Sequence, residues 1–185
     1  MRANLLAAFA AISMMAVAVN AADPQGCGCT RAPSFELQGT DGKSYTNSSL
    51  FGKPTVFVFI KSTCGHAAGS VATFNKLSKS FGDNAQLVGV FSADMTQTKK
   101  FGTQNKAEFL LLADPDGKIS SGFQAKNSLD FAYLCENDGN VIKMWNGFSR
   151  ANVDALISEI RGHAGVALEV DMKSMPERAL SGCPY

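Results

Sequence analysis

The stretch that most constrains this chain runs from Thr55 to Ala68 and reads T-V-F-V-F-I-K-S-T-C-G-H-A-A. Its first six residues, Thr55 to Ile60, are β-branched or aromatic, with no alternating polar face. Such a run fits a strand buried on both sides. Cys64 stands where that strand has to stop, and a helical pattern begins within two or three residues. Val71, Phe74, Leu77 and Phe81 then recur at spacings of three or four, up to Gly82. A doubly buried strand that turns at once into an amphipathic helix commits the chain to a layered α/β arrangement. It also sets a cysteine at a helix start. Backbone N–H groups and the helix dipole there stabilise a thiolate, the nucleophilic form.

The other segments fill in the layers. Phe35 to Gln38 and Lys43 to Thr46 alternate around Gly39-Thr40-Asp41-Gly42, a β-hairpin signal. Ser48 to Pro54 reads as a turn or a one-turn helix stopped by Gly52 and Pro54. Gln86 to Ser92 is a second buried strand, Thr96 to Lys106 is helical, and Phe109 to Leu112 is a short strand. Asp114-Pro115-Asp116-Gly117 is a turn, without the further ligands of a calcium loop. Phe131 to Cys135 and Val141 to Trp145 flank Asn137-Asp138-Gly139-Asn140 as an antiparallel pair. Val153, Leu156, Ile157 and Ile160 mark a last helix, expected to stop at Gly162. Trp145, Phe57, Phe59 and Tyr133 read as core. The order β-α-β-α-β-β-α behind a hairpin predicts early parallel strands and a late antiparallel addition.

The N-terminus carries the evidence on location. Met1-Arg2 is a short positive end, Leu5 to Val19 is apolar apart from Ser13, and Val19-Asn20-Ala21 offers a small-residue cleavage pattern. This reads as a signal peptide over residues 1–21, with export to a periplasmic or extracellular space and no stable membrane anchor. All five cysteines (Cys27, Cys29, Cys64, Cys135 and Cys183) fall after it, in an oxidising compartment, and their odd number leaves one thiol unpaired or paired between molecules. A net charge of +1 gives no support for a nucleic-acid partner.

Several short pieces share a further pattern. They are Ala32 to Leu37 with Asp41-Gly42-Lys43, Leu50 to Pro54, Phe59 five residues before Cys64, Leu111 to Lys118, and Tyr133 to Val141. In this order the chain resembles the thioredoxin superfamily, in its redoxin branch of alkyl hydroperoxide reductase and thiol-specific antioxidant proteins. The resemblance implies a thioredoxin-like sandwich, a central mixed β-sheet flanked by helices, with an N-terminal hairpin extension. It divides the chain into a Cys-rich arm over 22–32, a redoxin domain over 33–161 and a tail over 162–185. The departures bear on the chemistry. Where thioredoxins carry C-x-x-C, this chain has Cys64-Gly65-His66-Ala67, so the local second cysteine is missing. Leu129-Asp130-Phe131 lacks the cis-proline of thioredoxins. Lys61 replaces the threonine of peroxiredoxins, and Asp130 or Phe131 stands where those proteins use an arginine.

What remains is a half-site. Cys64 is the expected nucleophile, with Lys61 and His66 as groups able to lower its pKa if they point at the sulfur. Each also has a plainer reading, Lys61 as a strand-end surface charge and His66 as an exposed first-turn histidine. Cys27 or Cys29 can pair with Cys183 as a structural staple, or one of the three can resolve an intermediate on Cys64. A Cys-x-Cys metal site with Cys64 or His163 is the weaker alternative, and no cofactor is expected. Cys135 reads as a buried core residue. Three functions stay open: thiol–disulfide exchange through one nucleophilic cysteine, a peroxiredoxin-like thiol peroxidase, or a degenerate binding or metal-handling module. The partners expected are protein or small-molecule thiols and disulfides, or peroxide, with a separate thiol reductant.

Overall fold

Residues Thr55–Ile60 form the middle strand of a five-stranded sheet in a computed structural model that describes residues 31–134, 138–165, 167–173 and 175–185. The expected signal peptide, Cys27, Cys29 and Cys135 lie outside the described residues. In chain order the elements are β1 (Glu36–Gln38), β2 (Ser44–Thr46), α1 (Asn47–Leu50), β3 (Thr55–Ile60), α2 (Gly65–Phe81) and β4 (Gln86–Phe91). They continue with α3 (Met95–Gln104), β5 (Leu110–Ala113), α4 (Lys118–Gly122), β6 (Phe131–Leu134), β7 (Val141–Trp145) and α5 (Arg150–Ala164). The sheet order is β5-β4-β3-β6-β7. β3 runs parallel to β4 and antiparallel to β6, so the sheet is mixed as the element order predicts.

Every residue of β3 is buried, because the strand has apolar matter on both faces. Val56, Val58 and Ile60 face one core with Val71, Phe74 and Leu77 of α2 and Val153, Leu156 and Ile160 of α5. Phe57 and Phe59 face a second core with Leu50 of α1, Ile119 of α4 and Phe123 just after that helix. Phe123 lies 5.4 Å from the Phe57 ring and 5.3 Å from the Phe59 ring. Each such ring contributes about 1.5–3 kcal/mol through its burial. The β1–β2 hairpin pairs Glu36 with Thr46 and leans on β5 through the Gly39–Leu112 bridge.

The structure differs from the sequence reading at three places. The short helix α4 follows the Asp114–Gly117 turn and has no periodic signature. Its N-terminal amides are held by the buried Asp114 carboxylate, which accepts from the N–H of Lys118 at 2.9 Å and of Ser120 at 3.1 Å. Helix α5 runs past Gly162 and ends at Gly165, which takes the left-handed conformation at φ 64°. A helix stops where a residue adopts that conformation, and Gly162 stays helical. The described residues of the tail, where the sequence shows only weak pattern, pack on the domain. Leu168 and Met175 are buried in the α2–α5 core. The Arg161 side chain donates to the Leu168 carbonyl. Asp171 pairs with Lys76 of α2 at 3.5 Å, and the N–H of Arg150 donates to the Pro176 carbonyl at 2.8 Å.

Candidate active site

Cys64 is the residue that opens α2. Its own N–H donates to the Lys61 carbonyl at 3.0 Å, which closes a tight turn after β3. Its backbone is extended (φ −90°, ψ 109°), which leaves the sulfur beside the first turn of the helix without a side-chain cap bond but near enough to the N–H groups of His66 and Ala67 to be affected by them. Ala67, in the place of a second local cysteine, is wholly buried beneath it. Cys64 itself is 5% exposed.

The sequence supplies a second thiol from far away. The last residues of the tail return across this end of the sheet. Leu180 pairs with Phe148 and Pro184 with Asn127 as antiparallel bridges. The N–H of Ser128 donates to the Cys183 carbonyl at 2.8 Å, and the N–H of Tyr185 donates to the Lys126 carbonyl at 2.9 Å. These bonds pack the Cys183 side chain on the core that holds Cys64, close enough for each thiol to shift the pKa of the other. Both cysteines are free thiols. The approach is backbone against backbone, which explains two glycines. A Cβ on Gly182 would lie 2.4 Å from the Ser128 carbonyl oxygen, and one on Gly147 3.0 Å from that of Leu180. Both glycines also take positive φ.

The environment divides the roles of the two sulfurs. Burial pushes the Cys64 thiol up, but the hydrogen bonds from Cys183, the His66 N–H, the Ser128 hydroxyl and the Ala67 N–H outweigh it. The net pKa is below the usual 9.0. Cys183 moves the other way, because its hydrogen bond to Cys64 is made by its protonated form and burial adds to that effect. Of the two, Cys64 is the thiol that gives up its proton more readily and Cys183 the one that keeps it.

A loop before β6 completes the enclosure. Leu129 takes φ 73°, an uncommon conformation for a residue with a side chain. It is fixed by its N–H to the Phe59 carbonyl at 2.7 Å and by the buried Asp130 carboxylate. Asp130 accepts from the N–H groups of Lys126 (3.2 Å), Asn127 (3.0 Å) and Gly147 (2.8 Å). Burial raises its pKa despite those donors. Tyr185 is 39% exposed as a residue, but its phenol end turns inward to the Ser120 hydroxyl. Burial first, then the carboxylates of Asp114 and Asp130 and the Cys64 sulfur, push its pKa up.

The residues expected from the sequence are placed differently from one another. Cys64 and Cys183 come together. The Lys61 ammonium is turned from Cys64 to the tail, donating to the Pro184 carbonyl at 2.5 Å. The backbone N–H of His66 lies near the sulfur and helps to lower its pKa. The residue itself is exposed, lining a cleft of about 430 Å³ with Gly69, Lys173 and Met175. Ser128, Asp130 and Tyr185 carried no signal of their own. Only the position of Asp130, directly before a strand and in place of an expected arginine, marked that loop as unusual.

Comparison with known proteins agrees with this geometry. Residues 29–159 match the profile of the AhpC/TSA family. The chain belongs to that family. It is similar to the peroxiredoxin Bcp of Bacillus subtilis, 25% identical over 161 residues, covering 80% of this chain and 96% of the relative. Among solved structures it resembles one assigned as a thiol:disulfide interchange protein DsbE from Chlorobium tepidum. The TM-score there is 0.65 at 27% identity, over 74% of this chain and 97% of that one. The bacterioferritin comigratory protein of Xanthomonas campestris shares the fold, with a TM-score of 0.61 at 20% identity over 70% of this chain and 92% of that one. The AhpC/TSA chain is a thiol-dependent redox protein with a thioredoxin-like fold.

Proposed function

We propose that this AhpC/TSA chain is a thiol–disulfide oxidoreductase in which Cys64 attacks and Cys183 resolves. The observation that carries the reading is the return of the tail, which packs Cys183 on the core that holds Cys64 and fixes its carbonyl on the N–H of Ser128 at 2.8 Å; the opposed pKa shifts, Cys64 down and Cys183 up, agree with it. The Cys64 thiolate attacks one sulfur of a substrate disulfide, forming a mixed disulfide and expelling the other sulfur as a thiolate. That leaving group takes up the proton released by Cys183. The Cys183 thiolate then attacks the Cys64 sulfur and expels the second substrate thiolate, which is protonated from solvent. The substrate disulfide gains two electrons, the protein keeps a Cys64–Cys183 disulfide, and an external thiol reductant restores it. In this reading a pair of long sequence separation stands in for the missing C-x-x-C, with Cys183 taken as the resolving partner among the three cysteines open to that role.

Trapping tests this directly. The reduced chain is mixed with a chromogenic aromatic disulfide. The wild type is expected to release both aromatic thiols and end as an internal disulfide. Cys183→Ser is expected to release one and retain the other as a mixed disulfide on Cys64, and Cys64→Ser to react no faster than a simple thiol. A wild type that itself reacts no faster than a simple thiol would leave the degenerate binding-module reading in place.

A second reading, peroxide reduction, draws on the name of the Bacillus relative and on the enclosure of Cys64, which suits a small oxidant. There the thiolate attacks a hydroperoxide oxygen, the O–O bond breaks, and the leaving oxygen takes a proton from solvent and departs as water or an alcohol; the sulfenic acid left on Cys64 then condenses with the Cys183 thiol to a disulfide and a second water. Faster consumption of hydrogen peroxide than of the aromatic disulfide would favour it. Export rests on the N-terminal sequence pattern. No helix of the described residues is long and apolar enough to cross a membrane. N-terminal sequencing of the protein recovered from the producing cell's exterior fraction is expected to begin near Ala22.

A further inference from the structure

One residue touches both halves of the thiol pair. The N–H of Ser128 holds the Cys183 carbonyl at 2.8 Å. Its Oγ accepts from the N–H of Lys61 at 3.1 Å. That bond uses the oxygen as an acceptor and leaves the hydroxyl proton for another group, and the sulfur of Cys64, three residues beyond Lys61, is the acceptor beside it. Ser128 is fully buried, so water cannot substitute for either bond. The loop that carries it is over-determined. Leu129 is held at positive φ, and the three N–H groups gathered by Asp130 fix the chain on both sides of Ser128, tying it to Gly147 at the end of β7. Strained backbone that is held by several bonds at once is a mark of a built site.

From this geometry we infer that Ser128 is a catalytic residue, its hydroxyl donating to the Cys64 thiolate while its backbone seats Cys183, and that Asp130 is the positioning residue that aims it. The assignment rests on Cys64 being the attacking thiol. It adds to that reading a sequence of events at one residue. While Cys64 is a thiolate, the Ser128 hydroxyl and the Cys183 thiol both donate to it. Once the thiolate is consumed in a covalent bond, both donations end. The hydroxyl has then lost its charged acceptor, while the backbone bond that keeps Cys183 within reach is unaffected. The hydroxyl therefore favours the reduced, attacking state, and the N–H serves the resolving step.

The groups around the thiol pair that titrate or carry charge are the two cysteines themselves, the Lys61 ammonium, which acts on Cys183, and Tyr185, with the carboxylates of Asp114 and Asp130 acting on it. A Ser128 substitution leaves all of them in place. The test is the pH profile of Cys64 alkylation by iodoacetamide in the reduced full-length chain, with the modified peptide identified by mass. Ser128→Ala is expected to raise the midpoint by about one unit, a roughly tenfold loss of thiolate at fixed pH below both midpoints. Ser128→Thr is expected to restore it. Asp130→Asn keeps the size but turns an N–H toward the Lys126 and Asn127 donors, and is expected to shift the midpoint the same way. Equal midpoints for wild type and Ser128→Ala would overturn the role of the hydroxyl, whatever Asp130→Asn does. A wild-type midpoint at or above 9.0 would instead sink Cys64 as the activated thiol. The two failures are read from different curves.

Discussion

A glycine decides whether the second thiol arrives. Gly182 sits at φ 68° with its Cα against the Ser128 carbonyl, and any Cβ there meets that oxygen at 2.4 Å. The left-handed conformation alone costs a residue with a side chain about 1–2 kcal/mol, and the clash adds to it. Gly182→Ala is therefore expected to lift Cys183 off Cys64 with the rest of the fold intact. In the aromatic-disulfide assay it should behave like Cys183→Ser, accumulating mixed disulfide, although both cysteines are present. Rapid closure of the internal disulfide in Gly182→Ala would show that the tail does not need this seat. Nothing in the local sequence singles out Gly182, because a clash with residue 128 exists only once the tail has folded back. Cys64, by contrast, was legible, since its role follows from the strand and helix on either side of it.

At the scale of elements, the parts with regular periodicity were readable and the parts held by single polar groups were not. β3, β4, α2 and the β6–β7 pair follow from apolar runs and three-to-four spacing. α4 does not. It has five residues and exists because the buried Asp114 accepts from the N–H of Lys118, Ile119 and Ser120 and from the Ser120 hydroxyl. Asp114→Ala would strand several of those donors in the second core, beside Ile119 and Phe123. A loss of roughly 3 kcal/mol of stability is expected, measured as a lower urea midpoint at unchanged slope. A change under about 0.5 kcal/mol would mean that α4 is held by its apolar packing alone. The same contrast explains the overrun of α5. Gly162 looked like a stop, but only φ distinguishes it from Gly165, which is the real one.

For the whole molecule, the thiol pair links stability to pH. The folded pKa of Cys64 is lowered, so its contribution is present above 9.0 and is lost as pH falls through the folded value. That of Cys183 is raised, so its contribution is fully present below 9.0 and is lost as pH rises through its folded value. Together they favour the reduced fold most strongly near 9.0. The melting temperature of the reduced wild type minus that of Cys64→Ala is expected to climb toward that pH and decline beyond it. A difference that stays flat would mean that the two thiols do not interact in solution. The wider architecture was open to sequence reasoning because its sheet is built from contiguous runs. The closure of the site was hidden, because it joins β3, the loop before β6 and a tail whose buried residues, Leu168 and Met175, follow no period.

Trp145 of β7 is the single tryptophan of the chain. It is 2% exposed and stacks on Phe131 at 5.2 Å, with the Lys143 ammonium 5.4 Å from its ring. Phe131 follows Asp130 directly, and Gly147, two residues beyond Trp145, donates to that carboxylate. The indole is thus a built-in lamp beside the loop that aims Ser128. Its emission reports on that one corner of the sheet, without a label and without background from any other tryptophan.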